Sequence, residues 1–397
     1  MTDQDTDDTS DNASDGAAPG ADVATSRDAE TGKRKAAEPA PAKRGWVRRH
    51  WVISAFLALV IVIGTAAGAY AYMLNRNFAN IDRVMISGGK DGLIEEERPD
   101  PVEGEALNIL LLGADAESEN NNNSSSIAED MAQPQWPVGS HRSDTVIVMH
   151  ISADRQNVYL ASIPRDSYVP IYDQRGDPRG TDKINSAFSY YGPAGAVSTV
   201  EHLTNLRMDH LAIMDWNGLK DLSTAVGGVR LYIPETFYDE SQMITWEKGW
   251  QDLEGEEALA YVRTRYGLEN GDFDRIKRQQ NFIRALMKQF LSNGTMNNPL
   301  KLNSSLGALT KNLTIDDDWT DGDIRGLALA MRGISADDVQ FLTVPTAGYG
   351  YDDNGQSIVK IDNLKSKQLF NLMKKDNVQK YIEQNPKETL DGDKTVS

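Results

Sequence analysis

The sequence predicts an α/β domain carried outside a membrane by one preceding transmembrane helix. Three observations carry that reading. Residues 51–74 form a single uncharged apolar segment near the start of the chain. Beyond it, short apolar β-branched runs alternate with longer amphipathic stretches, the pattern of strands and helices in turn. The arginines and aspartates of this outer part gather in compact motifs beside those runs: LLLGAD (110–115), HRSDT (141–145), SIPRD (162–166), YVRTR (261–265) and GDFDRIKRQQ (271–280).

Composition narrows the function. The chain has 397 residues, 41 basic and 59 acidic, for a net charge of −18. That balance argues against nucleic acid as a partner, which calls for a basic face. The chain has no cysteine, so thiol nucleophiles, thiolate metal sites and disulfides are excluded together. The five histidines fall in no HExxH-like pattern, which argues against zinc chemistry.

Residues 1–50 are rich in Asp, Thr, Ser, Ala and Pro and reach their first large aromatic residue at Trp46, so they read as a disordered tail. Lys33, Arg34, Lys35, Lys43, Arg44, Arg48 and Arg49 gather late in it. As a helix, residues 51–74 would span roughly 36 Å, enough to cross a bilayer. Trp51 and the Tyr70/Tyr72 pair stand where interfacial aromatics belong, and the preceding basic cluster keeps the N-terminus cytoplasmic. A cleaved signal peptide ending near Ala67-Gly68-Ala69 is the rival reading; the long leader and the long span disfavour it.

Residues 75–105, with charges, glycines, Pro99 and Pro101, read as an extracellular stalk; the folded domain is expected over 106–376 and a tail over 377–397. Residues 107–113, 145–151 and 157–163 read as strands. The polar segment 116–141, with its run Asn120–Asn123, reads as a disordered loop. Helices follow after Pro193 and over 219–228, 255–263, 274–291 and 362–375; strands are expected at 229–234 and 338–346. Residues 274–291 carry an apolar stripe from Ile276 to Leu291.

Arginine forks bind phosphate oxygens in pairs, and aspartates hold the Mg²⁺ that accompanies phosphates. Asp115 ends one strand; Arg142 and Asp144 precede the next. If those strands pair antiparallel, both carboxylates come within reach of one cation, although strand-end aspartates are also common in turns. Arg165 follows a strand with Asp166 beside it, and Lys183 and Asn185 lie in the loop beyond. Arg263 and Arg265 close one helix, where a cation suits the helix dipole. Arg275 and Arg278 share a face of the next, where the plain alternative is an exposed ion pair. Asp272 could be its N-cap, and Gln279 surface or partly buried.

The order LLLGAD, RSDT, SIPRD, KIN, GGV (227–229), ALAYVRTR (258–265), DFDRIKRQ (272–279) resembles the motif series of the LytR-CpsA-Psr family across roughly 107–346. The resemblance implies a three-layer α/β/α domain with a central mixed β-sheet. It also implies an enzyme that moves a cell-wall glycopolymer, such as teichoic acid or capsular polysaccharide, from a polyprenyl-pyrophosphate carrier onto peptidoglycan. By motif position, Asp115 and Asp144 would hold Mg²⁺. Arg142, Arg165, Lys183, Arg263, Arg265, Arg275, Arg278 and Gln279 would grip the pyrophosphate. Arg142 and Arg165 would also serve catalysis, with Asp272 as proton acceptor. A hydrolytic lipid-pyrophosphate phosphatase and a non-enzymatic membrane regulator are the competing readings. Two departures stand out: the family's GxDxR has no arginine after Asp115 here, where Ala116 and Glu117 follow, and the segment before RSDT is long.

Overall fold

The computed structural model describes residues 51–87, 92–101, 104–116, 127–133, 135–139, 141–264 and 272–390, without the side chains of 51–59, 66–67, 115–116, 128, 272–274 and 293. The expected tail 1–50 lies outside the described residues. The chain divides into two units, Met1–Val62 and Ile63–Ser397.

The first helix, α1, runs Trp51–Ala79. Among the described residues no helix is long and apolar enough to cross a membrane. Residues 82–84, read from sequence as stalk, instead form an edge strand of the central sheet. Apolar Ile81, Val84 and Ile86 are the reason: each is buried.

The central sheet has seven strands, numbered here in chain order: β1 (Asp82–Val84), β2 (Leu107–Ala116), β3 (His141–Ile151), β4 (Val158–Ile163), β5 (His210–Asp215), β6 (Leu313–Asp316) and β7 (Val339–Thr343). Their spatial order is β1-β6-β5-β2-β3-β4-β7. β2–β3, β3–β4 and β5–β6 pair antiparallel; β1–β6, β2–β5 and β4–β7 pair parallel, so the sheet is mixed. The sequence reading missed β5 and β6, which are short.

Alternation along β2 separates two helical layers. Leu110, Leu112 and Ala114 pack with α2 (Asn185–Thr204) through Phe188 and Val197. Ile109 packs on the other side with Ile283, Met287 and Leu327. A third cluster joins the hairpin 229–253 to α3 (Trp216–Ala225), α4 (Gly255–Arg263) and α5 (Asp272–Phe290). Past these come α6 (Pro299–Lys311), α7 (Asp321–Ala330), α8 (Asn363–Lys374) and α9 (Val378–Gln384). The architecture is the expected α/β/α arrangement. α9 lies in the expected C-terminal tail but docks through buried Val378 and Tyr381.

α2 includes the stretch before Pro193, because the chain kinks at Gly192, whose φ is 66°. Trp136 explains the glycine: a Cβ there would come 3.1 Å from the indole. Trp136 Nε1 also donates to the Ser189 carbonyl at 3.1 Å. The segment read as a disordered loop is therefore partly ordered: a turn of helix spans Ile127–Met131, and Asp130 meets buried His141 Nε2 at 2.6 Å. Residues 117–126 of that segment lie outside the described residues.

Candidate functional site

The site begins with an irregularity in the sheet. Pairing between β2 and β3 passes from Gly113↔Thr145 to Ala114↔Ser143, so Asp144 is an extra residue with no opposite number. This is a β-bulge, a device that re-aims a side chain out of the alternating pattern. Gly113 permits it: a Cβ at that position would lie 2.9 Å from Thr145 Cβ. Asp144 and Arg142 thus belong to the strand itself rather than preceding it. Asp115 lies opposite Arg142 in the ladder, so the backbone places it beside the bulge, as the antiparallel pairing requires. Its side chain lies outside the described residues.

Arg165, just past β4, donates through Nη1 to Asp144 Oδ1. Its Nε is 3.8 Å from Asp166 Oδ2, and Lys183 Nζ is 3.2 Å from Asp166 Oδ1. Backbone bonds fix this corner: Asn185 N–H donates to the Arg165 carbonyl at 3.3 Å and Ile184 N–H to that of Ser167 at 2.8 Å. The result is a chain of alternating charges, Asp144–Arg165–Asp166–Lys183, partly exposed throughout. Arg142 is exposed beside it.

Helix α5 closes the site from above. Asp144, Arg165, Ile276, Gln279 and Gln280 line one small cleft. Gln279 is buried. Arg275 and Arg278 are buried too, not on the exposed face weighed for them. Arg278 is 1% exposed, and its guanidinium lies 4.5 Å from the Phe237 ring centre and 5.3 Å from that of Tyr261. Burial raises the Tyr261 hydroxyl above its ordinary range, opposed by the Arg278 charge. Asp272 is the first residue of α5, and its side chain lies outside the described residues. Arg265 lies outside them altogether.

Arg263 ends α4, exposed, with its guanidinium 5.3 Å from the Trp216 ring centre. Trp216 and Asp215, at the end of β5, were not singled out from sequence. Asp215 lies across from Ala114 in the sheet and caps α3 by accepting from Gly218 N–H at 2.7 Å. The available signal was an apolar run, LAIM, ending in Asp-Trp. Gln280 was missed as well. Its Nε2 reaches Ser162 Oγ at 2.8 Å, the Leu342 carbonyl at 3.1 Å and Thr343 Oγ1 at 3.2 Å, tying α5 to the ends of β4 and β7.

A second cavity of about 280 Å³ adjoins this cleft, sharing Thr145, Ile147, Gln279 and Ile283 with it. Its wall is almost wholly apolar: Leu111, Met149, Leu160 and Ala212 from the sheet, Trp216 and Leu219 from α3, Phe282, Leu286 and Met287 from α5. Charges at one end and a hydrocarbon-lined space at the other suit an amphiphile whose head carries phosphate.

The comparisons agree with this architecture. The model of the LytR_cpsA_psr family matches residues 86–375, and the chain belongs to that family. The chain is similar to "Cell wall biosynthesis protein LcpA" of Corynebacterium glutamicum, 28% identical over 82% of this chain and 66% of that protein. It is 32% identical to the "Polyisoprenyl-teichoic acid--peptidoglycan teichoic acid transferase TagV" of Bacillus subtilis, over 59% of this chain and 56% of that one. The chain thus spans between half and two thirds of these curated relatives. Among solved structures, B. subtilis TagV superposes with a TM-score of 0.53 at 23% identity, covering 70% of this chain and 98% of that one. A LytR-Csp2A-Psr enzyme from Actinomyces oris gives 0.54 at 18%, covering 74% and 96%.

Proposed function

We propose that this protein is a phosphotransferase that moves a glycopolymer from a polyprenyl-pyrophosphate carrier to a peptidoglycan hydroxyl, at the outer face of a membrane to which residues 51–74 anchor it. The observation that carries the reading is the junction of the apolar cavity with the Asp144–Arg165 cleft. Relatives named as teichoic acid transferases support it.

In this reading the isoprenoid lies along α5 and the pyrophosphate meets Arg165, Arg142 and Lys183, with Arg263 flanking. Buried Arg275 and Arg278 supply positive potential from a site of low dielectric, where a charge acts more strongly than in water. The residues fit Mg²⁺: Asp144 uses Oδ1 for Arg165, and Oδ2 has no hydrogen bond among the described residues. Asp144, with Asp115 from the facing strand beside the bulge, would hold the ion, and water would complete its shell. Bound Mg²⁺ would neutralise charge on the phosphates.

The acceptor hydroxyl attacks the glycan-side phosphorus in line. A new P–O bond forms, the bond to the polyprenyl phosphate breaks, and polyprenyl phosphate leaves with the electron pair. Asp272 is the candidate to take the hydroxyl proton, since the start of α5 lies next to Ile276 of the cleft. The test is label transfer from a polyprenyl-pyrophosphate glycan to a peptidoglycan oligomer. Transfer that requires Mg²⁺ and Asp144 is the expected result. Release of free phosphorylated glycan despite abundant acceptor would instead make the protein a phosphatase.

A further inference from the structure

A lipid-linked donor needs a way from the bilayer into the cavity, and the contacts of α1 indicate where that way begins. Tyr70 OH donates to the Pro299 carbonyl at 3.4 Å, Arg325 Nη1 to Asn75 Oδ1 at 2.5 Å, and Asn77 Nδ2 to Asn303 Oδ1 at 3.0 Å. These contacts orient two helices. α6 advances from Pro299 to Asn303 as α1 advances from Tyr70 to Asn77, so α6 starts at the level of Tyr70. α7 runs the opposite way: Asp321 pairs with Arg83, and Arg325, one turn later, reaches back to Asn75. Its last turn therefore approaches the level of Tyr70 as well.

At that level stand exposed apolar side chains: Leu300 is 77% exposed, Leu329 67% and Met296 40%. Scattered exposed leucines are ordinary, but these three border the end of the uncharged segment 51–74. Charge gives a second, independent observation. No carboxylate occurs between Asp274 and Asp316, although the chain carries 59 acidic residues, while Lys288 and Lys301 fall within that stretch. Such a stretch suits an anionic lipid surface, which repels Asp and Glu and attracts Lys. The cavity supplies a third. Its α5 lining runs from Gln279 at the polar end to Met287, and α5 ends at Phe290, just before Met296.

We propose that Met296, Leu300 and Leu329 form the edge by which the domain rests on the lipid surface, and that the isoprenoid tail enters the apolar cavity from that edge. The inference rests on residues 51–74 being the anchor. The absence of native cysteine makes the test direct. Full-length protein is reconstituted in vesicles of zwitterionic and anionic phospholipid containing a spin-labelled quencher lipid. Single variants Tyr72→Cys, Leu300→Cys, Leu329→Cys and Leu364→Cys each carry an environment-sensitive fluorophore. Leu364 is 84% exposed on α8, in the opposite helical layer, and serves as reference. The expected result is a blue shift and loss of emission at 72, 300 and 329 with neither at 364. Quenching at 72 but not at 300 or 329 overturns the docking edge and leaves the anchor standing. No quenching at 72 removes the anchor, and the edge with it. Equal quenching at all four positions overturns the orientation.

Discussion

Gln280 gives the sharpest test of how the site is held. Its amide is buried and meets three acceptors at the ends of β4 and β7. In Gln280→Ala the hydroxyls of Ser162 and Thr343 can turn to other partners. The carbonyl of buried Leu342 keeps its place in the β4–β7 ladder, so the cost is that of a lost side-chain hydrogen bond, about 0.5–1.5 kcal/mol. Losing the buried stem adds about 0.8 kcal/mol per methylene. The expected destabilisation is about 1–2 kcal/mol by those two contributions. Urea unfolding followed by tryptophan fluorescence measures it, with the midpoint falling and the slope unchanged. Gln279 is the next residue and lines both cavities, so donor transfer should also fall, because misplacing a binding group by about 1 Å can cost about 100-fold. A loss below about 0.5 kcal/mol, the range of ordinary surface changes, would refute the role of Gln280 as the tie between α5 and the sheet.

Other outcomes follow from the same geometry. Asp144→Asn should lower transfer by about 10²–10³-fold, the cost of one misplaced electrostatic partner, in a label-transfer assay. Its unfolding free energy should change by no more than about 1 kcal/mol, since the Arg165 pair is partly exposed. Leu286→Trp, within the apolar cavity, should raise KM for a long-chain donor about tenfold and leave KM for a short-chain donor unchanged; equal effects on both would count against lipid in the cavity. Burial holds the His150 imidazole below its ordinary value of 6.5, opposed by its 3.0 Å contact with Asp376. Between the folded value and 6.5 the unfolded chain therefore binds more protons, so stability falls as pH drops through that window. His150→Gln should flatten this slope below pH 6.5 in denaturation curves.

What the sequence made legible was whatever depends on local pattern. The strands at 107–113 and 145–151 show as apolar β-branched runs, and α4 is read to the residue because Gly255 opens it and Arg263 closes it. Strands β5 and β6 were hidden because six and four residues give periodicity little to act on. β1 was hidden because DRV looks like stalk and becomes a strand only by pairing with residues 314–316, a partner more than 200 positions away. At the site, the motif order identified Asp144 and Arg165, but only the register shift at Gly113 shows why Asp144 points where it does. The burial of Arg275 and Arg278 was illegible for a related reason. Helical spacing placed them on one face, but the aromatic lid of Phe237 and Tyr261 comes from a different hairpin and a different helix.

That burial bears on how a chain of net charge −18 would hold the pyrophosphate proposed for it. Surface carboxylates beyond about 8–10 Å are screened by salt, so the overall charge acts weakly at the cleft. A guanidinium 1% exposed is not screened in the same way, and Arg278 sits in the same turn of α5 as Gln279, which lines the cleft. The helix that bears it carries no acid after Asp274. Lys at 278 would keep the charge but lose the planar contact with two rings that makes its burial tolerable. The lysine variant should therefore unfold more easily than the native protein, even though the formal charge at the site is unchanged.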